Sequence, residues 1–297
     1  NNPYLPNLEL PEPEEPEPKV PAIHQPIWTK NKAKLIERYL LYFLYITKHG
    51  TYIDGFAGPQ ERDNPEMWAA KLVLDMEPKW LRHFHLFDKN KHQIRRLNEL
   101  KKKQPDTDSN GKKIRRDINI YLGDFNVGVH ELLSANSIGP KEATFCLLDQ
   151  RTFECHWSTV KALAEYKPKG ERKIELFYFL PIGWLDRAFA AIRNEKIIEC
   201  WWGRQDWQIL KGMSHEQRKE AFMRRFKTEL GYKIVKPYPI FERARGGRTM
   251  YYMILATDHP DAPTQMSRAY DNAVKPKESH EQLSLMFLGN TDEASEI

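Results

Sequence analysis

Residues 51–60, Thr-Tyr-Ile-Asp-Gly-Phe-Ala-Gly-Pro-Gln, constrain the fold of this 297-residue chain more than any other segment. An apolar run from Thr51 to Ile53 ends at Asp54, and Gly55, Phe56, Ala57 and Gly58 follow at once. The run reads as a buried strand, and the small residues let the backbone turn sharply beneath a ligand. A strand ending in a Gly-rich turn ahead of a helix is how doubly wound α/β domains bind nucleotide-like cofactors, at the carboxyl ends of their strands. Neither G-x-x-x-x-G-K-[ST] nor G-x-G-x-x-G is present. Pro59 and Gln60 stand where a phosphate cradle needs glycine and free amides, so the turn is expected to disfavour phosphate.

The rest of the chain repeats that opening. Apolar residues Leu35, Ile36, Tyr39, Leu40, Phe43 and Ile46 predict a helix over 30–49, with Gly50 placed to end it. Cap signals at 63–66 predict a helix running through Trp68, Leu72 and Val73. A second strand over 82–87 ends at Asp88 and leads to a helix over 90–103, and 104–116 reads as a polar surface loop. A third strand over 117–122 ends at Gly123-Asp124-Phe125-Asn126, and a fourth over 143–148 ends at Asp149. A short helix over 161–170, a strand over 173–180 and helices over 184–194 and 214–230 follow. Two strands, 232–241 and 249–257, then form a hairpin about the basic turn 242–248. The pattern predicts one α/β domain with a mostly parallel sheet and an antiparallel edge. It spans 27–270, between a Pro/Glu-rich tail at 1–26, expected to be disordered, and a polar tail at 271–297.

No apolar run approaches the ~18 residues of a membrane span, and no leader pattern sends the chain out of the cell. Cys146, Cys155 and Cys200 are odd in number and lack metal-ligand spacing, so a cytoplasmic, reduced protein is expected. The formal net charge is +5. Residues 1–26 hold five acids and one base, which leaves 45 bases against 36 acids, or +9, on the body. A basic body points either to a polyanionic partner or to a solvated cationic surface.

Asp54, Asp88, Asp124 and Asp149 each close a strand. A single such Asp is a common helix cap or turn former, whereas the series points to a ligand. An acid after the second strand is placed to accept hydrogen bonds from a ribose diol. Asp124-Phe125 can receive an adenine, the carboxylate taking the exocyclic amine and the ring packing on the base.

The series Asp54-Gly55-Phe56-Ala57-Gly58, Asp88 and Asp124-Phe125 resembles the first three cofactor motifs of class I S-adenosylmethionine-dependent methyltransferases. More narrowly, four segments resemble the three-Cys-motif partner (TcmP) family: residues 51–59, Leu147-Leu148-Asp149 with Trp157 eight positions on, residues 177–184, and residues 251–259. The resemblance covers roughly residues 28–270. It implies a Rossmann-like class I methyltransferase sheet with an antiparallel C-terminal hairpin, and S-adenosylmethionine held by Asp54 to Gly58, Asp88, Asp124 and Phe125. It also implies a bacterial setting with a three-Cys-motif partner and a place in phage defence.

Two positions depart from the family pattern. Gln60 stands where glycine is expected after Ala-Gly-Pro, and Asp149-Gln150-Arg151-Thr152-Phe153 stands where amino-methylating enzymes carry Asp-Pro-Pro-Tyr. Asp149 and Gln150 still offer acceptors to an amine and Phe153 a ring to stack on its base, so these are the candidate catalytic residues. Arg243, Arg245 and Arg248, flanking Gly246-Gly247, form either a solvated turn or a phosphate-gripping finger, and are the candidate nucleic-acid contacts. The expected function is methyl transfer acting on or with nucleic acid. The alternatives are a catalytically altered partner or scaffold in a complex and, behind it, a metal-dependent nuclease.

Three further groups invite a functional reading, and the residues favour a bland one for each, core packing in the case of the tryptophans. Trp201, Trp202 and Trp207 can stack bases or fill a core. His83 and His85 lack a third metal ligand, and neighbours Cys155 and His156 point apart on one short segment.

Overall fold

The computed structural model describes residues 27–59, 64–108, 111–243 and 246–273. Five parallel strands form first: β1 (Thr51–Asp54), β2 (His83–Asp88), β3 (Asp117–Leu122), β4 (Thr144–Leu148) and β5 (Glu175–Leu180). The hairpin strands β6 (Ile234–Arg243) and β7 (Gly246–Thr257) complete a seven-stranded sheet in the order β3-β2-β1-β4-β5-β7-β6. β7 runs antiparallel to β5, inserted between it and β6. The chain therefore winds outward in one direction from β1 to β3 and in the other from β4. The β1/β4 seam is the topological switch point where such sheets open a crevice.

Strand alternation divides the core cleanly. Tyr52, Phe84, Leu86, Phe145, Leu147, Phe177, Met253 and Leu255 face one side, where they pack under α1 (Ile27–Thr47), α2 (Ala69–Asp75), α3 (Lys91–Lys102) and α9 (Ala262–Ala273). Ile53, Phe87, Cys146, Leu148, Leu176, Tyr178, Ile254 and Ala256 face the other. Covering them are α4 (Phe125–Ser134), α5 (Trp157–Glu165), α6 (Leu185–Ala191), α7 (Glu195–Trp202) and α8 (His215–Thr228). β1 and β5 are buried at every position, as parallel strands covered on both faces must be.

Several boundaries differ from the sequence reading for local reasons. α1 stops at Thr47 because Lys48 adopts the left-handed conformation (φ 65°), so the stop falls two residues before Gly50. Gly50 instead lets Ala143 O approach to 2.7 Å of where a Cβ would stand. α5 begins at Trp157, four residues before the expected start. The terminal strands extend to Arg243 and from Gly246, so Arg248 belongs to β7 and not to the turn. α4, α7 and α9 were not expected, and α9 carries the folded chain to Ala273. The tail at 1–26 and residues 274–297 lie outside the described residues. No described helix is long and apolar enough to cross a membrane.

Candidate functional site

The loops after β1 to β4 enclose a cleft of about 600 Å³ at the carboxyl edge of the sheet, within the ~300–1,000 Å³ of small-molecule sites. Gly55, Phe56 and Gly58 line it from β1, Asp88 and Gln93 from β2 and α3, Asp124 and Phe125 from β3, and Asp149 and Phe153 from β4.

The β1 turn is fixed by its neighbours. Gly55 N donates to Leu147 O (3.1 Å) and Ala57 N to Phe87 O (2.8 Å), which ties the turn across the switch point. Asp54 is buried beneath it and accepts hydrogen bonds from Tyr52 Oη (2.9 Å) and Phe56 N (3.0 Å). Burial pushes its carboxyl up to about 7, against the downward pull of those two bonds. Asp54 and Ala57 thus support the turn from below, outside the main cleft. Phe56 is the half-exposed ring of the turn.

Asp88 and Gly58 meet directly: Gly58 N donates to Asp88 Oδ2 (3.0 Å), while Asn90 N donates to Oδ1 (2.7 Å). A Cβ on Gly58 would stand 2.2 Å from Asp88 Oδ2 and 2.7 Å from Gln93 Cβ, so glycine is required for this approach. Partial burial raises the Asp88 carboxyl above its ordinary range. Each oxygen accepts one backbone N–H and keeps further capacity toward the cleft, since an ionised carboxylate has about four acceptor sites. Gln93 donates to Pro59 O (3.1 Å) through Nε2, and its buried Oε1 has no partner among the described residues. That second acceptor beside Asp88 was not anticipated. Its only sequence signal is a polar residue in the first turn of α3.

The third-strand residues split. Asp124 is exposed and caps α4, accepting from Asn126 N (2.8 Å) and Nδ2 (2.9 Å). Phe125 is buried, its ring set edge-on to Phe87 and Phe56 and filling the space above Gly55, 2.7 Å from a Cβ there. It closes the cleft floor and does not stand open as a stacking platform; Phe56 is the more accessible ring. Asn126 joins two loops by donating to Glu154 O (2.8 Å) and accepting from His156 N (2.8 Å) and Thr159 Oγ1 (2.8 Å). Lys89 and Glu154 form an ion pair across the cleft (3.1 Å).

The fourth-strand residues are largely turned to internal use. Asp149 pairs with Lys32 of α1 through both carboxylate oxygens (2.8 and 2.7 Å), and both side chains are buried. The Lys32 ammonium also lies over the Phe179 and Tyr251 rings, 5.4 and 5.7 Å from their centroids. Gln150 is fully buried and spans the loop, accepting from Cys155 N (2.9 Å) and donating to Phe179 O (3.2 Å). It does not line the cleft. Phe153 touches the cleft wall while stacking on Phe189 (5.6 Å between centroids) and against Trp201 (4.9 Å). Lys32 has no local signal, since it lies 117 residues before its partner.

The remaining candidates lie elsewhere. Arg245 is outside the described residues, Arg243 ends β6, and exposed Arg248 reaches Met250 Sδ (3.8 Å). Trp201, Trp202 and Trp207 are buried core residues. His83 pairs with Glu142 (2.8 Å) and His85 with Tyr121 Oη (3.0 Å). Cys155 is buried, which pushes its thiol well up. Among the described residues no three His, Cys, Asp or Glu side chains converge as metal ligands.

Strand order, the antiparallel insertion of β7 and a cleft at the switch point define the class: a Rossmann-like fold of the class I methyltransferase type. No family profile matches the chain, and no curated protein matches it. Among solved structures it is similar to a DUF519-family protein from Legionella pneumophila str. Philadelphia 1, at 9% identity over 86% of this chain and 95% of that one, with a TM-score of 0.46. It is also similar to the small RNA methyltransferase HEN1, at 13% identity over 84% of this chain and 28% of that one, with a TM-score of 0.46. These likenesses are of general fold.

Proposed function

We propose that the protein binds S-adenosylmethionine in the β1–β4 cleft and acts as a methyltransferase on, or together with, nucleic acid. The observation that carries this reading is the meeting of Gly58 and Asp88: a glycine held against an acid at the end of β2 leaves a partly buried acceptor facing the cleft. The site residues fit an adenosine-bearing ligand. Asp88 and the unpartnered Gln93 Oε1 would accept from the ribose hydroxyls, Asp124 from the base amine, and Phe56 would pack on the base. When bound, the cofactor supplies an electrophilic methyl group on a sulfonium. The chain contributes binding, orientation and exclusion of water at the Phe125 floor.

One observation favours a second reading. The Lys32 ammonium occupies both oxygens of Asp149, the acid expected to orient an acceptor amine. A catalytically altered methyltransferase fold working as a partner in a complex accounts for that closure, and the resemblance to three-Cys-motif partners makes such a protein the first one to test.

Methyl-tritiated S-adenosylmethionine, offered with pooled cellular RNA and DNA, separates the two. Retention on the protein with label passing to nucleic acid supports the enzyme reading, and retention without transfer supports the partner reading. Absence of retention defeats the enzyme reading.

A further inference from the structure

The basic charge of the chain is concentrated in one place. Residues 91–116 carry ten basic and three acidic side chains, a net +7 beside +5 for the whole chain. α3 buries Leu97 and Leu100 against the sheet. Its exposed positions Lys91, Arg95, Asn98 and Lys102 recur at intervals of four, three and four, which places them within about 60° of arc along one face. The twelve-residue helix makes that stripe about 18 Å long.

At the far end of the helix the stripe broadens. Lys103 follows α3 directly, and the loop carrying Lys112, Lys113 and Arg115 folds back on itself through Ile114 N to Asp106 O (2.8 Å). Arg116 anchors the return by donating to Leu74 O (2.8 Å) and Gln104 Oε1 (3.0 Å). At the near end, Asn90 and Lys89 line the cleft itself.

These cations stand out by their number within one segment. Some lysines elsewhere sit beside carboxylates, as Lys161 does with Glu165 and half-buried Lys71 with Asp75, while exposed Lys169, Lys196 and Lys227 stand singly. Lys91, Arg95, Lys102, Lys103, Lys112, Lys113 and Arg115 are all exposed, and none forms an ion pair among the described residues. Ten like charges against three counter-charges leave a net repulsion, and a polyanion relieves it.

We propose that the exposed face of α3 and the adjoining loop at 111–116 form a nucleic-acid-binding surface that grips the phosphodiester backbone and leads it to the cleft. The surface stands on charge and placement alone; its purpose, delivery of an acceptor to the cleft, rests on the function proposed above. It moves the principal contacts from the hairpin arginines to α3. A helix face with three cations and one amide along its length contacts phosphates without reading bases, so binding is expected to be independent of sequence.

The test is fluorescence anisotropy with a labelled 20-nucleotide single-stranded RNA and a DNA duplex of equal length, without cofactor, between 50 and 200 mM salt. The variant K91Q/R95Q/K102Q/K103Q is compared with K161Q/K169Q/K227Q/K233Q, which removes the same charge elsewhere. The account predicts at least a ten-fold loss for the α3 variant at 100 mM salt. Its salt slope on RNA should fall by about 0.7 per phosphate contact removed, while the control stays within two-fold of wild type. Thermal unfolding of each variant identifies any loss due to misfolding. If the α3 set proves unstable, the loop set K112Q/K113Q/R115Q carries the same prediction. Equal losses in both charge-matched variants overturn the proposal. So does binding to phosphatidylserine vesicles that depends on α3 while RNA binding does not. Because no cofactor is present, a failure of cofactor binding in a separate titration leaves this result standing.

Discussion

The two halves of the carboxyl edge of the sheet are built to opposite rules. On the β1–β3 side, Asp88, Gln93 and Asp124 hold acceptors toward an open cleft, and glycines give way to neighbouring side chains. On the β4–β5 side, Asp149 is matched by Lys32, Gln150 is bonded at both ends, and Phe179 and Tyr251 cover the pair. The first half leaves acceptors lining the cleft, and the second pairs its acid internally. Motif position alone therefore does not assign a role, because the same residue type at equivalent strand ends faces the cleft with acceptor capacity in one half and forms a core ion pair in the other.

Breaking the closed half should give the largest effect. Lys32→Ala removes the ammonium that balances the buried Asp149 carboxylate and is expected to cost about 3–5 kcal/mol in urea unfolding. Removing both charges with Lys32→Met and Asp149→Leu should recover much of that loss. If Lys32→Ala costs nothing, the pair is solvated and the contrast between the halves fails. Asn126→Ala removes the bonds joining the α4 start to the β4–α5 loop, stranding His156 N. About 1–3 kcal/mol of stability should go with it, together with cofactor affinity, because Glu154 and Lys89 lose their frame.

On the open half, Gly58→Ala forces Asp88 or α3 to move. It should weaken adenosine-ligand binding at least ten-fold in a titration, with an unfolding cost of about 1–3 kcal/mol for the overpacked contact. An unchanged affinity would separate Gly58 from the ligand.

The smallest effect concerns pH. Glu175, buried at the opposite edge of the sheet, accepts from Tyr39 and from Thr257 Oγ1 (2.5 Å), and burial pushes its carboxyl up to about 7. Between the ordinary carboxylate range and pH 7 the folded state holds a proton that the unfolded state has released. Stability from this group is thus full at low pH and lost as pH rises through 7. Glu175→Gln should flatten that decline in unfolding curves taken from pH 5 to 8, and an unaltered slope would assign the decline to Asp54, the other carboxyl pushed up to about 7.

The parallel strands were legible because each is an apolar run, the first four closed by an acid, and β1 to β5 fall within two residues of the expected bounds. α4 was obscured by Gly128, which breaks the apolar pattern yet is needed where the Phe87 ring comes within 2.8 Å of a Cβ position. α7 is a short helix whose buried face is Ile198, Trp201 and Trp202, and α9 keeps a helical period at Ala262, Met266, Ala269 and Tyr270 that two alanines make faintly apolar. Asp88 and Asp124 reached the cleft as expected. Phe125 and Gln150 did not act as open site residues because neighbouring backbone groups and rings claimed them, and Lys32 could be joined to Asp149 only by the folded sheet.

The central claim is that the open half holds S-adenosylmethionine through Asp88. Isothermal titration of S-adenosylhomocysteine into wild-type protein and Asp88→Ala tests it most directly. The account predicts one site per chain, weakened by about 1.5–3 kcal/mol in the variant through loss of a charged hydrogen bond, with ATP binding far more weakly than either. No heat from wild type at millimolar ligand, or equal affinity in the two proteins, would contradict it.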